Sequence, residues 1–507
     1  MSDRQGRLAT SVDAQREETL GLAAGGQVRK DPVRILYVVL VCVGVVGVLV
    51  RSGFGPVVDV DSYWHVLVGK VVLGGSGVVG VGSDWTISPV DGTTWASTQV
   101  LAEIVLARLY ETWDINGLIV FRVMSSFAIV ASVLMTTLWR RPLRAAAWPV
   151  VLVLVMLAFA IQERPQQITY ALAPLVGWWA MRLFTQGRLP RWWHALPLVA
   201  VWGNTHGGWI LLPALLVLAA LARVLDHGVR DIAVRRAFIL AAACLLAAAI
   251  SPAGFANIVS ARRIGAAAWG ITEWQPVVVW DWHALPFAIL LLLLVVAWAR
   301  SAARPSRGEL LLVLVLCGFG LSAWRNLTPA MLVLAPLVVT PIARWLGEPT
   351  EVPVPDVPAR KLTAITIAAA IGMCGVSAIG LRQEPSIDVK IPGRLVQEIG
   401  ATTAPQRVLN TYNVGGAVLL LAGPPPRVRV GIDGRADLYG SKYIQTYMSD
   451  LVRARGDWEL LFSQLAPTCA LLHEDEALGD VLIDRGWIPV DAEKKYVLLR
   501  APDAPGW

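Results

Sequence analysis

The sequence predicts a polytopic α-helical membrane protein of about 11 spans, followed by a small α/β domain. Three observations carry this. Of 507 residues, 55% are hydrophobic and 16% charged, and the mean hydropathy is +0.57, whereas a soluble domain carries roughly 25% charged and about 45–50% apolar residues. The apolar residues form long runs, such as 35–50, 285–299 and 310–316, rather than an amphipathic pattern, and a bilayer core takes about 20 mostly apolar residues per helical span. Most Lys and Arg sit in short loops between those runs, which is the positive-inside arrangement of a multispanning protein. Together these exclude an ordinary soluble enzyme, a coiled coil and a disordered regulator. The net charge of +7 is then a matter of topology, and no nucleic-acid partner is expected.

Hydropathy places the spans at 35–52, 117–138, 146–162, 168–185, 192–203, 208–225, 235–251, 283–300, 309–324, 327–345 and 362–381. Residues 1–34 are polar and mixed in charge, which predicts a disordered cytoplasmic N-terminus, with the first apolar run as an uncleaved anchor. With Arg29, Lys30 and Arg34 inside, alternation also brings inside the basic groups at 140–144, 182–191, 223–236, 300–307 and 344–361. Arg262 and Arg263 form a basic pair left outside. Residues 192–225 read as two half-length segments broken at 203–208, a broken or re-entrant helix. Residues 97–110 are apolar but short, and carry Glu103 and Arg108, so they read as juxtamembrane.

The transmembrane domain thus covers 35–381. Its first outer loop, 53–116, is long and acidic, with Asp59, Asp61, Asp84, Asp91 and Glu103. Residues 382–507 read as an extracytoplasmic α/β domain: strands at 407–410, 427–432, 470–473, 488–490 and 496–500, helices at 443–455 and 458–465. The cysteines are scattered without a CxxC pair, which argues against a zinc ribbon, a redox pair or a disulfide framework. Neither a GxGxxG fingerprint nor a Walker A sequence occurs, and no nucleotide partner is expected.

On this topology the unusual polar clusters collect on the outer face, which points to a single extracytoplasmic cavity, since ionisable groups at membrane depth are costly and usually functional. An Asp-x-Asp pair in an extended segment points both carboxylates to one side. Asp59 and Asp61 therefore suit a divalent cation, or general-base catalysis toward an acceptor hydroxyl; the plain alternative is that one of them caps the helix expected at 62–73. If that segment is helical, His65 shares a face with Asp61. Asp84 is either a site residue or a solvated turn. Arg164 and Arg325 are candidates to grip a phosphate through paired charge-assisted hydrogen bonds, against the alternative of snorkelling to lipid headgroups. Gln166, Asn204 and His206, Glu273 and Trp274, and Asn326 complete the substrate-binding candidates; a structural role for His206 and a solvated Glu273 are the alternatives. Trp64, Trp274 and Trp280 are candidates to stack on sugar faces, although interfacial belts account for most of the 22 tryptophans. The segment 431–439 is polar enough to bind a ligand, but reads better as a turn tied by a contact between Asp433 and Arg435.

The Asp-x-Asp-x-Tyr-Trp-His stretch at 59–65, the Arg-Pro-Gln at 164–166, the Asn-Thr-His-Gly-Gly at 204–208 and the Glu-Trp at 273–274, with an N-terminal anchor and an outer C-terminal domain, resemble the GT-C superfamily of integral-membrane glycosyltransferases. That resemblance implies a GT-C-like fold and a polyprenyl-phosphate-linked sugar as donor among membrane lipids. It also implies Asp59 or Asp61 as catalytic base and Arg325 or Arg164 on the lipid phosphate. The Trp-Trp-Asp-Tyr-Gly sequence of oligosaccharyltransferases and the His-Pro-Pro-Leu-Gly-Lys signature of protein O-mannosyltransferases are absent, so neither acceptor class carries over. The competing functions are a flippase or transporter of a lipid-linked glycan and an envelope assembly scaffold.

Overall fold

The computed structural model describes residues 32–57, 59–88, 95–255, 257–258, 271–352, 359–382 and 391–507. The polar segment up to residue 31, Asp91, and the Arg262 and Arg263 pair lie outside the described residues. The helices are α1 (Pro32–Gly53), α2 (Ser62–Leu73), α3 (Val100–Trp113), α4 (Asn116–Val133), α5 (Leu143–Ala160), α6 (Gln166–Gln186) and α7 (Trp192–Gly203). They continue as α8 (Leu211–His227), α9 (Ile232–Ala247), α10 (Leu285–Arg300), α11 (Arg307–Ser322), α12 (Trp324–Trp345) and α13 (Ala359–Arg382).

Every apolar segment read from the sequence overlaps one of these helices. Among the described residues, six stretches are long and apolar enough to cross a membrane: Pro32–Gly53, Asn116–Leu138, Leu143–Ala160, Gly207–His227, Trp282–Arg300 and Trp324–Trp345. The other segments are shorter or, like α6 with Gln166, Gln167 and Thr169 in its first turn, more polar. The expected pair of half-length segments at 192–225 resolves unequally. Helix α7 has 12 residues, about 18 Å at 1.5 Å per residue, and is short of a bilayer core. A 3-10 turn at Gly207–Ile210 extends α8 to full length.

An apolar outer surface and a close-packed centre follow from the same composition. Helix α1 turns outward Val43 and Val46, 63% and 58% exposed, a face that lipid rather than water suits. Helix α12 is the centre, with 83% of its apolar stretch buried against α5, α6, α10 and α11. Its prolines at 329, 336 and 341 are tolerated because packed neighbours enclose it.

The loops sort to two ends. Arg141 Nη1 donates to Thr350 O at 2.7 Å, Arg223 Nη1 to Phe184 O at 2.9 Å, and Gly308 N to Asp226 Oδ1 at 3.0 Å. The arginine-bearing loops after α4, α6, α8, α10 and α12 therefore share one end, as the alternation requires. The opposite end carries the loops after α1, α5, α7 and α11.

That second end is roofed by α2, α3 and the C-terminal domain. Helices α2 and α3 touch backbone to backbone at Gly69, where a Cβ would lie 2.1 Å from Glu103 O. The C-terminal domain runs α14 (Gly393–Ala401), β1 (Gln406–Asn410), α15 (Gly415–Leu421), β2 (Val428–Val430), α16 (Ala436–Gln445) and α17 (Trp458–Leu465). It ends with β3 (Cys469–His473), α18 (Leu478–Asp484), β4 (Ile488–Glu493) and β5 (Tyr496–Arg500). The sheet order is β2-β1-β3-β5-β4, with β1 parallel to β2 and β3 and the rest antiparallel. All five strands fall where apolar runs predicted them. The helix expected at 443–455 begins earlier: α16 bends at Gly440, where φ is 74°, and passes into a π turn at Thr446–Leu451.

The roof shares one core with that domain. Trp64, Trp85 and Trp95 pack with Val414, Val418 and Ile432, and Ile87 N donates to Val430 O at 2.8 Å, adding loop backbone to the sheet edge. The expected contact between Asp433 and Arg435 is present and fully buried, at 2.9 and 2.7 Å. Arg435 also donates to Gly82 O at 2.9 Å and lies against the Trp85 and Trp95 rings, so this turn fastens the first loop.

Candidate active site

The site is built on a buried arginine. Arg122, on α4, donates to the carbonyls of Ser52 (2.6 Å), Phe54 (3.2 Å), Gly55 (3.1 Å) and Pro56 (2.9 Å), and pairs with Glu163. Both side chains are 0% exposed. Glu163 Oε2 in turn accepts from the Asp59 backbone N–H at 3.4 Å, and its carbonyl accepts from Ser62 Oγ at 2.6 Å. The chain leaving α1 is thereby held in one path, and it delivers Asp59 and Asp61.

Neither aspartate is a simple helix cap. Asp61 sits at the N-cap of α2 without a side-chain capping bond; its Oδ1 accepts from Trp64 Nε1 at 3.2 Å and its Oδ2 meets Arg164. Asp59 Oδ1 accepts from Asp61 N at 3.1 Å, and Oδ2 lies 2.9 Å from Arg164 Nε. Arg164 reaches Glu273 Oε2 with its remaining nitrogen at 3.0 Å, and Glu273 Oε1 lies 3.5 Å from Arg325 Nη1. Arg325 stacks on Trp274, 4.0 Å from its ring centre. The loop carrying Glu273 is fixed where Trp324 N donates to Gln275 O at 3.1 Å.

Three carboxylates thus face two guanidiniums. Burial pushes the Asp59 carboxyl up to about 6, a rise that Arg164 and His65 oppose and Glu273 reinforces. Burial also works to raise Glu273, but Arg164 and Arg325 outweigh it and hold that carboxyl below its usual value. Burial, then Arg325 and Arg164, lower His206 to about 3, so it is neutral. Its Nδ1 accepts from Gly208 N at 3.0 Å and contacts Thr169 Oγ1 at 2.7 Å, which assigns the proton to Nε2 as a donor. His65 Nδ1 lies 3.1 Å from Glu103 Oε1.

These groups line one cavity of about 1040 Å³ between the helix ends and the C-terminal domain. Asp59, Asp61, His65, Arg164, Gln166, His206, Glu273, Trp274, Arg325 and Asn326 all contribute to its wall. Two candidates do not. Asp84 is exposed in a 3-10 turn. Asn204 ties down backbone instead, donating through Nδ2 to Ala200 O and Ile250 O at 2.8 Å each. Trp280 also lies elsewhere, at 84% exposure. Sequence reasoning missed Arg122 and Glu163, although a lone arginine within the apolar run 117–138 is itself a signal. It missed Gly434 too, where a Cβ would lie 2.0 Å from Asp61 Oδ1.

A cation joining Asp59 and Asp61 would have to displace Arg164, which already occupies both carboxylates. Among the described residues no group of three His, Cys, Asp or Glu is arranged to hold a metal ion. The residues as arranged do not fit the divalent cation that the Asp-x-Asp spacing invites.

No protein-family model and no curated protein matches the chain. Among solved structures, the chain is similar to the crystal structure of ArnT from Cupriavidus metallidurans bound to undecaprenyl phosphate, with a TM-score of 0.48 and 15% identity over 92% of this chain and 98% of that one. It is also similar to the arabinofuranosyltransferase AftD from Mycobacteria, with a TM-score of 0.45 and 14% identity over 92% of this chain and 40% of that one.

Proposed function

We propose that this chain is a membrane glycosyltransferase that moves a sugar from a polyprenyl-phosphate donor to a hydroxyl acceptor at the extracytoplasmic face. The observation that carries the reading is Arg164, joined to Asp59, Asp61 and Glu273 in the wall of the large cavity and followed by Arg325. Guanidiniums suit the bidentate hold of a phosphate, and a carboxylate raised toward neutral suits general-base work. The outward orientation rests on the arginine-rich loops at the opposite end.

In the proposed reaction the donor phosphate lies on Arg164 and Arg325. Asp59 takes the acceptor proton, the acceptor oxygen attacks the sugar C1, and the bond from C1 to the phosphate oxygen breaks. The electron pair departs with the lipid phosphate, where the guanidiniums stabilise it. The sugar inverts.

The test uses the purified protein in lipid discs, with labelled polyprenyl-phosphoryl hexoses and pentoses and an envelope extract as acceptor. Wild type should transfer label, and Asp59→Asn and Asp61→Asn should each abolish transfer at unchanged expression. Full activity in both variants overturns the mechanism. A protein that moves the lipid-linked sugar across a bilayer without cleaving it belongs to the flippase reading instead.

A further inference from the structure

The far wall of the cavity comes from the C-terminal sheet. Strand β1 lies between β2 and β3 and is parallel to both, so all three end on the same side. The chain leaves β1 toward β2 and later returns across β1 to enter β3, which reverses the strand order. In open α/β sheets, ligands sit beyond the C-terminal strand ends at such a reversal. Here the chain after each of the three strands reaches the cavity: Tyr412 and Asn413 after β1, Gly434 and Arg435 after β2 with Asp437 in the first turn of α16, and Asp475 and Glu476 after β3.

The crevice between β1 and β3 is built rather than incidental. Glu476 Oε2 accepts from Thr411 Oγ1 at 2.7 Å and from His473 N at 3.0 Å, fastening the two strand ends together. Its charge is opposite to that of the Arg164 and Arg325 end. Asp437, Asp475 and Glu476 outnumber the free cations beside them: Arg453 lines the same wall, His473 Nδ1 lies 3.3 Å from Asp475 Oδ2, and Arg435 is bound to Asp433. Burial raises the carboxyls of Asp437 and Glu476, which weakens their hold on a cation and suits them to hydroxyl groups.

We infer that this strand-end crevice is the acceptor subsite, and that it takes an uncharged, hydroxyl-rich glycan rather than a phosphorylated one. The inference rests on the transferase reading: the basic end receives the anionic donor, the acidic end excludes anions and presents hydroxyls to Asp59. Tyr412 offers an aromatic face, and Asn413 and Asp475 offer exposed polar groups of the kind that bind sugar hydroxyls.

The test divides the envelope extract by anion exchange into neutral and anionic glycan fractions. Each is supplied to the full-length protein with the same labelled donors, and released free sugar is measured beside transferred sugar. Label should enter the neutral fraction. Asn413→Ala with Asp475→Ala, two exposed positions, should lower the ratio of transfer to hydrolysis at least tenfold and raise the KM for the neutral fraction. Label entering the anionic fraction overturns the inference, and so does an unchanged ratio in the variant. Wild type that releases sugar to neither water nor acceptor overturns the transferase reading instead.

Discussion

Replacing Arg122 with methionine separates the support of the site from its chemistry. The side chain does not line the large cavity, yet it satisfies four carbonyls of the segment before Asp59 and neutralises Glu163. Its loss takes the guanidinium away from a carboxylate at 0% exposure, a change that costs about 3–5 kcal/mol in comparable buried pairs. Any carbonyl that stays dry adds about 1–3 kcal/mol. Thermal unfolding of the purified protein in detergent should show this as a large fall in midpoint. Adding Glu163→Gln removes the stranded charge, so that part of the lost stability should return while the part owed to the carbonyls stays lost. Transfer should not return, because the carbonyls are still unheld; a displacement of about 1 Å at a reacting group lowers rate on the order of 10²-fold. A single variant within about 1 kcal/mol of wild type refutes the buried pair, and a double variant with the wild-type rate refutes its role in placing the aspartates.

Two further outcomes follow from the same geometry. In the proposed reaction Asp59 must be ionised to act, and its carboxyl is raised to about 6, so kcat/KM should climb as pH rises through that value and then level off; a flat profile from roughly pH 5 to 8 removes Asp59 as the base. Gly434→Ala places a Cβ 2.0 Å from Asp61 Oδ1 and 2.7 Å from Trp64 Nε1, so transfer should fall at least tenfold while the protein still purifies as a folded species. An unchanged rate means that the C-terminal domain does not seat against Asp61 in solution.

The membrane helices were legible because apolar runs of this length have few other solutions, and α2 was read at its observed bounds because Ser62 follows two aspartates and precedes an apolar stretch. The strands were equally plain as short runs rich in Val and Leu. Helices α14, α15 and α18 have only 9, 7 and 7 residues, too short for periodicity to stand out. Within the site, polar residues on one face could be grouped, but sequence does not distinguish a side chain that turns into a cavity from one that satisfies nearby backbone. Asn204 is the clear case. Arg122 was readable in principle, as a single charge in an apolar span. The approach of Gly434 to Asp61 was not, since a missing side chain leaves no chemical signal and the two positions lie in different domains.

The resting charge balance indicates which contact yields when an anion arrives. Arg164 already meets three carboxylates, one through each of its nitrogens, so an arriving phosphate competes with them for the same guanidinium. Asp59 is the most enclosed of the three at 4% exposure, and its backbone is fixed through Glu163 to Arg122. Glu273 is the most exposed at 34%, and its second contact, to Arg325, is long at 3.5 Å. A phosphate therefore replaces Glu273 at lower cost than it replaces either aspartate, and it finds both guanidiniums where Glu273 had kept them. The added negative charge also favours the protonated form of Asp59. In the proposed reaction, proton transfer from an acceptor requires that charge to move toward the arginines as the lipid phosphate departs, which would couple the base to the leaving group through Arg164.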